Sequence, residues 1–380
     1  MESDARYRIP VMAVVLLTLL AALWAGLYRI GWQVPALRPT LPMAHGPLMV
    51  SGILGSVIAL ERAVAIRERW TYLGPLLSAL GAIVLIVDGS SKIGPVLITL
   101  SSLYFAIVSL VMVYRVPALY TVTMALGSLA WFIGNTLWLA GWSVSEIVYW
   151  WAGFLILTIV GERLELSRIF QRGRISQPLF MVALGITLAG LIVSIISYTL
   201  GVRMASLGFV ALALWLFVFD IARRNIHRTK TTRFIAVNLL LGFGWLLVGG
   251  LLGIRYAGVI AGPTYDAMLH SLFMGFTLSM IFAHALIIMP AISGLPVPYH
   301  KLLYGPVVLL HLSLSIRIIG DLNLWRPLRL WGGMLNVVAV LWFLFMLVVL
   351  TMLELRAKKG SRESAPTTGV QQHPSEITHF

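Results

Sequence analysis

Hydrophobic residues in this 380-residue chain come in long blocks, which polar residues interrupt at about twelve places. Most blocks hold about 20 residues, the length that an α-helix needs to cross a hydrocarbon layer about 30 Å thick. The blocks lack the alternation of apolar and polar residues that membrane β-strands show, and lipid offers the backbone no hydrogen-bond partner. The pattern therefore predicts an all-α fold, a polytopic bundle of about twelve transmembrane helices.

The interruptions between blocks give the approximate helix bounds. We expect helices at 9–31, 42–66, 71–88, 92–114, 119–141, 144–167, 178–200, 203–222, 232–254, 265–291, 301–320 and 329–355. The first block is longer than the apolar part of a signal peptide and lacks a clear small-residue cleavage site, so it is predicted to remain as a helix. Pro, Ser, Thr and Gln follow helix 12. We expect a transmembrane domain at 1–356 and a disordered cytoplasmic tail at 357–380.

The main clusters of basic residues follow even-numbered helices. These clusters contain Arg62, Arg67 and Arg69; Arg163, Arg168, Arg172 and Arg174; Arg223, Arg224, Arg228, Lys230 and Arg233; and Arg356, Lys358, Lys359 and Arg362. Cytoplasmic loops of membrane proteins are enriched in Lys and Arg. The pattern predicts a multi-pass protein of the cell (plasma) membrane with both termini in the cytoplasm. It also accounts for the net charge of +14, so we expect the lipid bilayer as a partner and no nucleic acid.

Composition narrows the chemistry that the chain can support. Hydrophobic residues make up 59% and charged residues 11% of the chain, and there is no cysteine. The lack of cysteine excludes disulfides, thiolate metal sites, iron–sulfur clusters and covalent haem attachment. A metal or haem would need His, Met or carboxylate ligands. No sequence motif of a soluble enzyme occurs, so whether the protein is an enzyme stays open.

A weak internal repeat relates helices 2, 6 and 10. Helix 2 ends in Glu61–Arg62, helix 6 ends in Glu162–Arg163, and helix 10 has Ala283–His284 at the matching place. Helices 2 and 10 also begin alike, with His45 and His270 each four residues before a methionine. This spacing suggests three four-helix units, although short apolar motifs also recur by chance.

Four histidines within the predicted helices are candidate ligands, because ionisable residues in a membrane are costly and therefore point to function. His45 and His270 fall at similar depth near the outer ends of helices 2 and 10. His284 is 14 residues after His270, or about 21 Å along the helix axis, and matches the depth of His311 in helix 11. We predict a cofactor site at His45 and His270 and a second metal site at His284 and His311.

Two methionines extend this hypothesis. Met49 and Met274 each follow a candidate histidine by four residues, so they would share its face and could complete a His/Met site for copper or haem. The alternative for each histidine is a hydrogen bond to a neighbouring helix or a place beside a water-filled cavity. Methionine is also common on lipid-facing surfaces.

Other polar residues have structural explanations at this stage. Glu61–Arg62 and Glu162–Arg163 are expected to anchor helix ends and form interhelical salt bridges, with a proton path through the glutamates as the alternative. Arg317 and Asp321, one turn apart, are predicted as a pair at the outer end of helix 11. Asn135 and Asn238 are predicted to form hydrogen bonds between helices.

The helix-10 sequence carries a family resemblance. The residues from His270 to Pro290 resemble the NnrS family. The resemblance lies in His270, in Gly275-Phe276, in the segment from Ser279 to Ala285 and in Pro290. Members of that family are polytopic haem- and copper-containing proteins associated with nitric oxide stress. The helix count also resembles the catalytic subunit of haem–copper oxidases, in which histidines on helices 2 and 10 ligate a low-spin haem. The resemblance implies that His45 and His270 are axial haem ligands.

Departures from the oxidase pattern limit what the resemblance implies. Helix 6 lacks HxxxY, helix 7 lacks a His-His pair and helix 10 lacks HxH, so an oxygen-reducing centre is not expected. The leading hypothesis is a membrane protein that binds haem, or alternatively copper, and takes part in nitric oxide metabolism or respiratory electron transfer. Its redox partner cannot be read from the sequence. A secondary transporter is the main alternative, and an assembly factor without chemistry of its own is the third.

Overall fold

The computed structural model describes residues 2–35, 37–167 and 174–363, with side chains described between residues 8 and 359 of those ranges. Within these ranges all regular elements are helical, and twelve helices are long and apolar enough to cross a membrane. The prediction of an all-α bundle of about twelve transmembrane helices is therefore confirmed. The spans are α1 Arg8–Ile30, α2 Leu41–Ile66, α3 Arg69–Val87, α4 Ile93–Arg115, α5 Leu119–Leu139, α6 Val144–Ser167, α7 Ser176–Val193, α8 Tyr198–Phe219, α9 Lys230–Tyr256, α10 Pro263–Ser293, α11 Lys301–Leu322 and α12 Arg326–Lys359.

Two boundaries differ from the sequence prediction. The predicted helix at 178–200 ends earlier, at Val193, and α8 begins at Tyr198. Apolar Ile195 and Ile196 lie in the turn between them, where Ile196 is exposed, so hydrophobicity gave no sign of the break. At the other end of the chain, the last helix continues to Glu363. It therefore extends past the predicted end of the transmembrane domain at 356, into the segment that was predicted to be a disordered tail. The rest of the predicted tail, 364–380, lies outside the described residues.

Helices α2 and α10 share an uncommon backbone geometry. Each contains an eight-residue π-helical segment, Leu48–Gly55 in α2 and Ser271–Leu278 in α10. A π-helix has wider turns than an α-helix and often marks a functional site. His45 lies three residues before the first segment, and His270 immediately precedes the second. The two helices that the sequence repeat relates therefore carry the same distortion at the same place.

Neighbouring side chains support both π segments. The indole of Trp131 donates a hydrogen bond to Ser51 Oγ, and Ser78 donates to the Ser51 carbonyl. In α10, Thr277 donates to the Leu272 carbonyl five residues earlier. Backbone carbonyls in the hydrocarbon layer need such partners, because lipid cannot replace them. These bonds hold the distortions in a defined geometry.

Helix α6 is the centre of the bundle. In the most apolar part of α6, 83% of the residues are buried inside the protein, compared with 33–61% in the other spans. It takes part in two hydrophobic clusters, one shared with α1 to α5 and one shared with α5 and α7 to α10. A third cluster joins α9 and α10 to α11 and α12. Because one helix is common to the first two clusters, the two halves of the chain pack into one bundle.

Candidate functional site

His45 and His270 come together in the structure. Their ring centres lie 6.4 Å apart and their ring planes differ by 25°, although the residues belong to α2 and α10. Both histidines are partly buried. The two imidazoles therefore lie at one depth, as their positions in the sequence predicted.

Backbone carbonyls fix the orientation of both rings. His45 Nδ1 lies 2.8 Å from the Ala22 carbonyl oxygen of α1, and His270 Nδ1 lies 3.0 Å from the Asp266 carbonyl oxygen. A carbonyl can only accept a hydrogen bond, so Nδ1 is the donor in both rings and Nε2 of a neutral ring carries the lone pair. Histidines that bind metals use this arrangement, with one nitrogen anchored and the other facing the metal.

Helix α1 forms the seat of the His45 ring. Gly26 faces this ring so closely that a Cβ atom at position 26 would lie 2.8 Å from His45 Cε1. Ala22, which accepts the His45 hydrogen bond, lies one turn earlier on the same helix face. The ring is therefore held by one polar contact and one close packing contact from the same helix.

An ion pair supports His270 from the other side. The Asp266 carboxylate accepts two hydrogen bonds from Arg317, at 2.8 and 2.9 Å, and its Oδ1 lies 3.3 Å from His270 Nδ1. The predicted pairing of Arg317 with Asp321 is wrong, because Arg317 reaches across to α10. Asp321 instead lies 2.7 Å from Arg329 of α12. These pairs connect α10, α11 and α12 around the His270 end of the site.

The geometry fits a metal held between two imidazoles. Two metal–nitrogen bonds of about 2.0 Å, extended to the ring centres, place those centres roughly 6 Å apart, close to the observed 6.4 Å. Helices α2 and α10 pack on each other through their C-terminal halves, Ser56–Ile66 against Ser279–Ser293. Their π segments pack on other neighbours, chiefly α1 and α3 for α2, and α9 for α10. The two imidazoles thus lie beyond the region where the helices meet.

His284 and His311 do not share such a site. Phe282 and Leu286 pack in the cluster with Leu310 of α11, and His284, two residues from each, therefore lies on the opposite face of α10. His311 Nδ1 accepts a hydrogen bond from Trp245 at 2.9 Å. Its proton therefore resides on Nε2, which leaves a neutral ring no free lone pair for a metal. His284 and His311 lie at similar depth, as predicted, but their side chains point in different directions.

The two methionines are also separated. Met274 is buried in the cluster formed with α11 and α12, whereas Met49 packs against the cluster around α1 to α5. The structure therefore does not bring the two methionines together, and they do not complete one His/Met site with both histidines.

The repeated Glu–Arg motifs meet at the end of the bundle opposite the paired histidines. Arg62 of α2 forms an ion pair with Glu162 of α6, and Arg163 forms two hydrogen bonds, at 2.8 and 2.9 Å, with Asp220 after α8. The prediction of interhelical salt bridges is confirmed for both motifs. His284 lies within the electrostatic reach of this group, with Arg163 its strongest charged neighbour. The three repeat-related positions thus gather in one ion-pair layer.

The predictions for Asn135 and Asn238 have different outcomes. Trp151 of α6 donates a hydrogen bond to Asn135 Oδ1 of α5 at 2.9 Å, which confirms the interhelical prediction for Asn135. Asn238 instead donates to the Phe234 carbonyl in its own helix, so that prediction was wrong. A buried amide can satisfy its donor one turn back along the helix, and sequence alone does not separate the two choices.

Sequence reasoning did not identify three residues of the site, namely Ala22, Gly26 and Asp266. Asp266 precedes His270 by four residues, and this helical spacing could have marked the pair. Ala22 and Gly26 contribute a carbonyl group and a missing side chain, which carry no chemical signature in a sequence. Only the packing of α1 against α2 reveals them.

Comparison with known proteins places the chain in a family without assigning a role. The profile of a family described as "Domain of unknown function (DUF8744)" matches residues 8–352. No curated protein and no solved structure gives a significant match. The matched region covers all of the membrane helices from α1 to the greater part of α12. On this evidence the chain belongs to the DUF8744 family.

Proposed function

We propose that this protein is an integral membrane haem protein that transfers electrons, with His45 and His270 as the two axial ligands. The observation that carries the proposal is the close pair of imidazoles, 6.4 Å apart between centres, with both Nδ1 atoms hydrogen-bonded to carbonyl groups. Two imidazoles from different helices with free Nε2 lone pairs are suited to bind a metal from opposite sides.

Haem fits this pair of ligands better than a bare metal ion does. A bare zinc or copper ion takes several protein ligands, whereas a haem brings four nitrogens of its own and needs only axial ligands. His45 and His270 would hold the iron, and the bound haem would supply one-electron redox chemistry. The resemblance of α10 to the NnrS family supports the same choice, and copper is the alternative metal.

The surrounding residues have defined tasks in this proposal. Ala22 and Asp266 hold the two rings in the tautomer that presents Nε2, and the Arg317 guanidinium balances the charge of Asp266. The exposed guanidinium of Arg29 lies within electrostatic reach of His45 and would be available to an anionic substituent of the cofactor. The partial burial of both histidines would limit contact with water, which would tune a redox potential.

Visible absorption of the purified protein tests the proposal. Wild-type protein from haem-supplied cells is expected to show a Soret band and a haem content near one per chain. His45→Ala and His270→Ala are each expected to lose most of the bound haem. His284→Ala is the matched control, because it removes an imidazole from the same helix without touching the proposed site. A colourless wild-type preparation, or equal losses in all three variants, would refute the proposal.

A secondary transporter is the second candidate. Interrupted helices and buried charged groups are typical of transporters, and α2, α10 and the buried Arg163–Asp220 pair at one end of the bundle provide both features. Under this alternative the purified protein would contain neither haem nor copper, and substituting the histidines would change solute uptake by reconstituted vesicles. Metal analysis of the same preparation therefore separates the two candidates.

A further inference from the structure

A basic cavity opens at the end of the bundle where α9 and α11 begin. Its volume is about 420 Å³, and its walls are formed by Arg228, Thr229, Lys230, Arg233, Val237, Tyr299 and Tyr304. This end carries the cluster of basic residues after α8, so by the charge pattern it faces the cytoplasm. The cavity is distant in the fold from the paired histidines, which lie near the opposite ends of α2 and α10.

The positive charges in this cavity have no acidic partner. Arg228, Lys230 and Arg233 are exposed, and none of them pairs with a carboxylate within the described ranges 8–35, 37–167 and 174–359. Three cations around one cavity repel each other unless an anion lies between them. The charge of the cavity therefore calls for an anionic ligand.

The two tyrosines are held rigidly at the edge of the cavity. The buried ring of Phe234 packs edge-on against Tyr304, with ring centres 5.2 Å apart, and contacts Tyr299 at 6.2 Å. Neither phenol hydroxyl forms a hydrogen bond with any residue that the structure describes. Fixed phenol groups beside guanidinium groups can donate hydrogen bonds to phosphate oxygens.

One further observation favours a ligand with an apolar part. Val237 lines the cavity one turn after Arg233, on the side that extends into the membrane. Basic pockets between membrane helices on the cytoplasmic side are known to hold phospholipid headgroups. Free phosphate would use the charges but not the apolar wall.

We propose that the cavity formed by Arg228, Lys230, Arg233, Tyr299 and Tyr304 binds the phosphate group of an anionic phospholipid. The headgroup lies among the basic and phenol groups, and the acyl chains pass Val237 toward the bilayer. This site is independent of the proposed haem function.

Native mass spectrometry of the detergent-purified full chain tests this site with phosphatidylglycerol as the probe. Phosphatidylglycerol is expected to bind more tightly than phosphatidylcholine, and Arg233→Gln is expected to weaken its binding about fivefold. Tyr304→Phe should weaken it less, because it removes only a hydroxyl group. Arg223→Gln with Arg224→Gln is the matched control, because it removes two charges of the same connection that do not line the cavity.

Three outcomes would overturn the proposal. Phosphatidylcholine could bind as tightly as phosphatidylglycerol, or the control variant could lose as much affinity as Arg233→Gln, and either result would leave no specific site. Alternatively, inorganic phosphate at millimolar concentration could displace the lipid completely and stabilise the protein equally well. That result would assign the cavity to a free phosphate-bearing anion. Thermal unfolding of Arg233→Gln in detergent verifies that the variant is folded.

Discussion

The His45 ring is positioned by a backbone carbonyl group and by a glycine that has no side chain. A carbonyl group of Ala22 orients His45, and the missing side chain of Gly26 leaves room for its ring. Sequence reasoning identified the two histidines because imidazoles are costly in a membrane. It could not identify the supports of His45, since alanine and glycine occur throughout membrane helices. Depth was predictable from residue spacing, whereas direction was not, as His284 and His311 illustrate.

Gly26→Ala is expected to disturb the site without altering any polar group. The added Cβ would lie 2.8 Å from His45 Cε1, closer than non-bonded carbons approach, so the ring must shift or rotate. We expect a several-fold lower haem content, or a shifted Soret band, in the visible spectrum. Gly244→Ala is the matched control, because its Cβ would meet its nearest neighbour at 4.0 Å. Identical spectra for the two variants would contradict the proposed role of Gly26.

Asp266→Asn is expected to destabilise the outer part of α10. The substitution removes the charge that pairs with Arg317, whose side chain is only 9% exposed, and deprives that guanidinium of the carboxylate that accepts its two hydrogen bonds. The expected loss is about 2–3 kcal/mol in the free energy of unfolding, measured by thermal or denaturant unfolding in detergent. Glu354→Gln, which affects only an exposed pair with Lys358, should have little effect. Equal stability of the two variants would show that the Asp266 pair is dispensable.

At the scale of helices, the sequence predicted number and position well but internal geometry poorly. All twelve helices were located because long apolar blocks have few alternatives in lipid. The π segments of α2 and α10 were not predicted, since a block that is apolar on every side contains no periodicity from which turn width could be read. The turn at 194–197 was missed for the same reason. The repeat between α2 and α10 was the one sequence signal that pointed to their shared geometry.

The Arg163–Asp220 pair is expected to be the strongest ionic connection between helices. Both side chains are almost completely buried, with exposed fractions of 4% and 1%, and Asp220 also accepts a hydrogen bond from the Ala222 amide. Asp220→Asn leaves the Arg163 charge buried and unpaired, which should cost about 3–5 kcal/mol in unfolding free energy. Unfolding in detergent, followed by circular dichroism, measures this loss.

The partly exposed Arg62–Glu162 pair provides the comparison for that experiment. Its side chains are 14% and 26% exposed, so water can replace part of the lost interaction. Glu162→Gln is therefore expected to destabilise the protein less than Asp220→Asn. The opposite order would mean that burial does not set the strength of these connections.

For the molecule as a whole, the charge pattern predicts an orientation that labelling can test. The chain contains no cysteine, so a single introduced thiol can be detected without background. Lys92→Cys, between α3 and α4, is expected to react with a membrane-impermeant maleimide in intact cells. Arg224→Cys, between α8 and α9, should react only after the membrane is opened. The reverse labelling pattern would place both termini on the outside.

The distance in sequence between the paired histidines has a consequence for biosynthesis. His45 enters the membrane early, but His270 belongs to α10 and is made only after nine helices have been synthesised. A nascent chain can therefore offer one imidazole for most of its translation, and the complete pair exists only near the end. Any cofactor bound at this pair must be captured late, after α1 to α9 have been made.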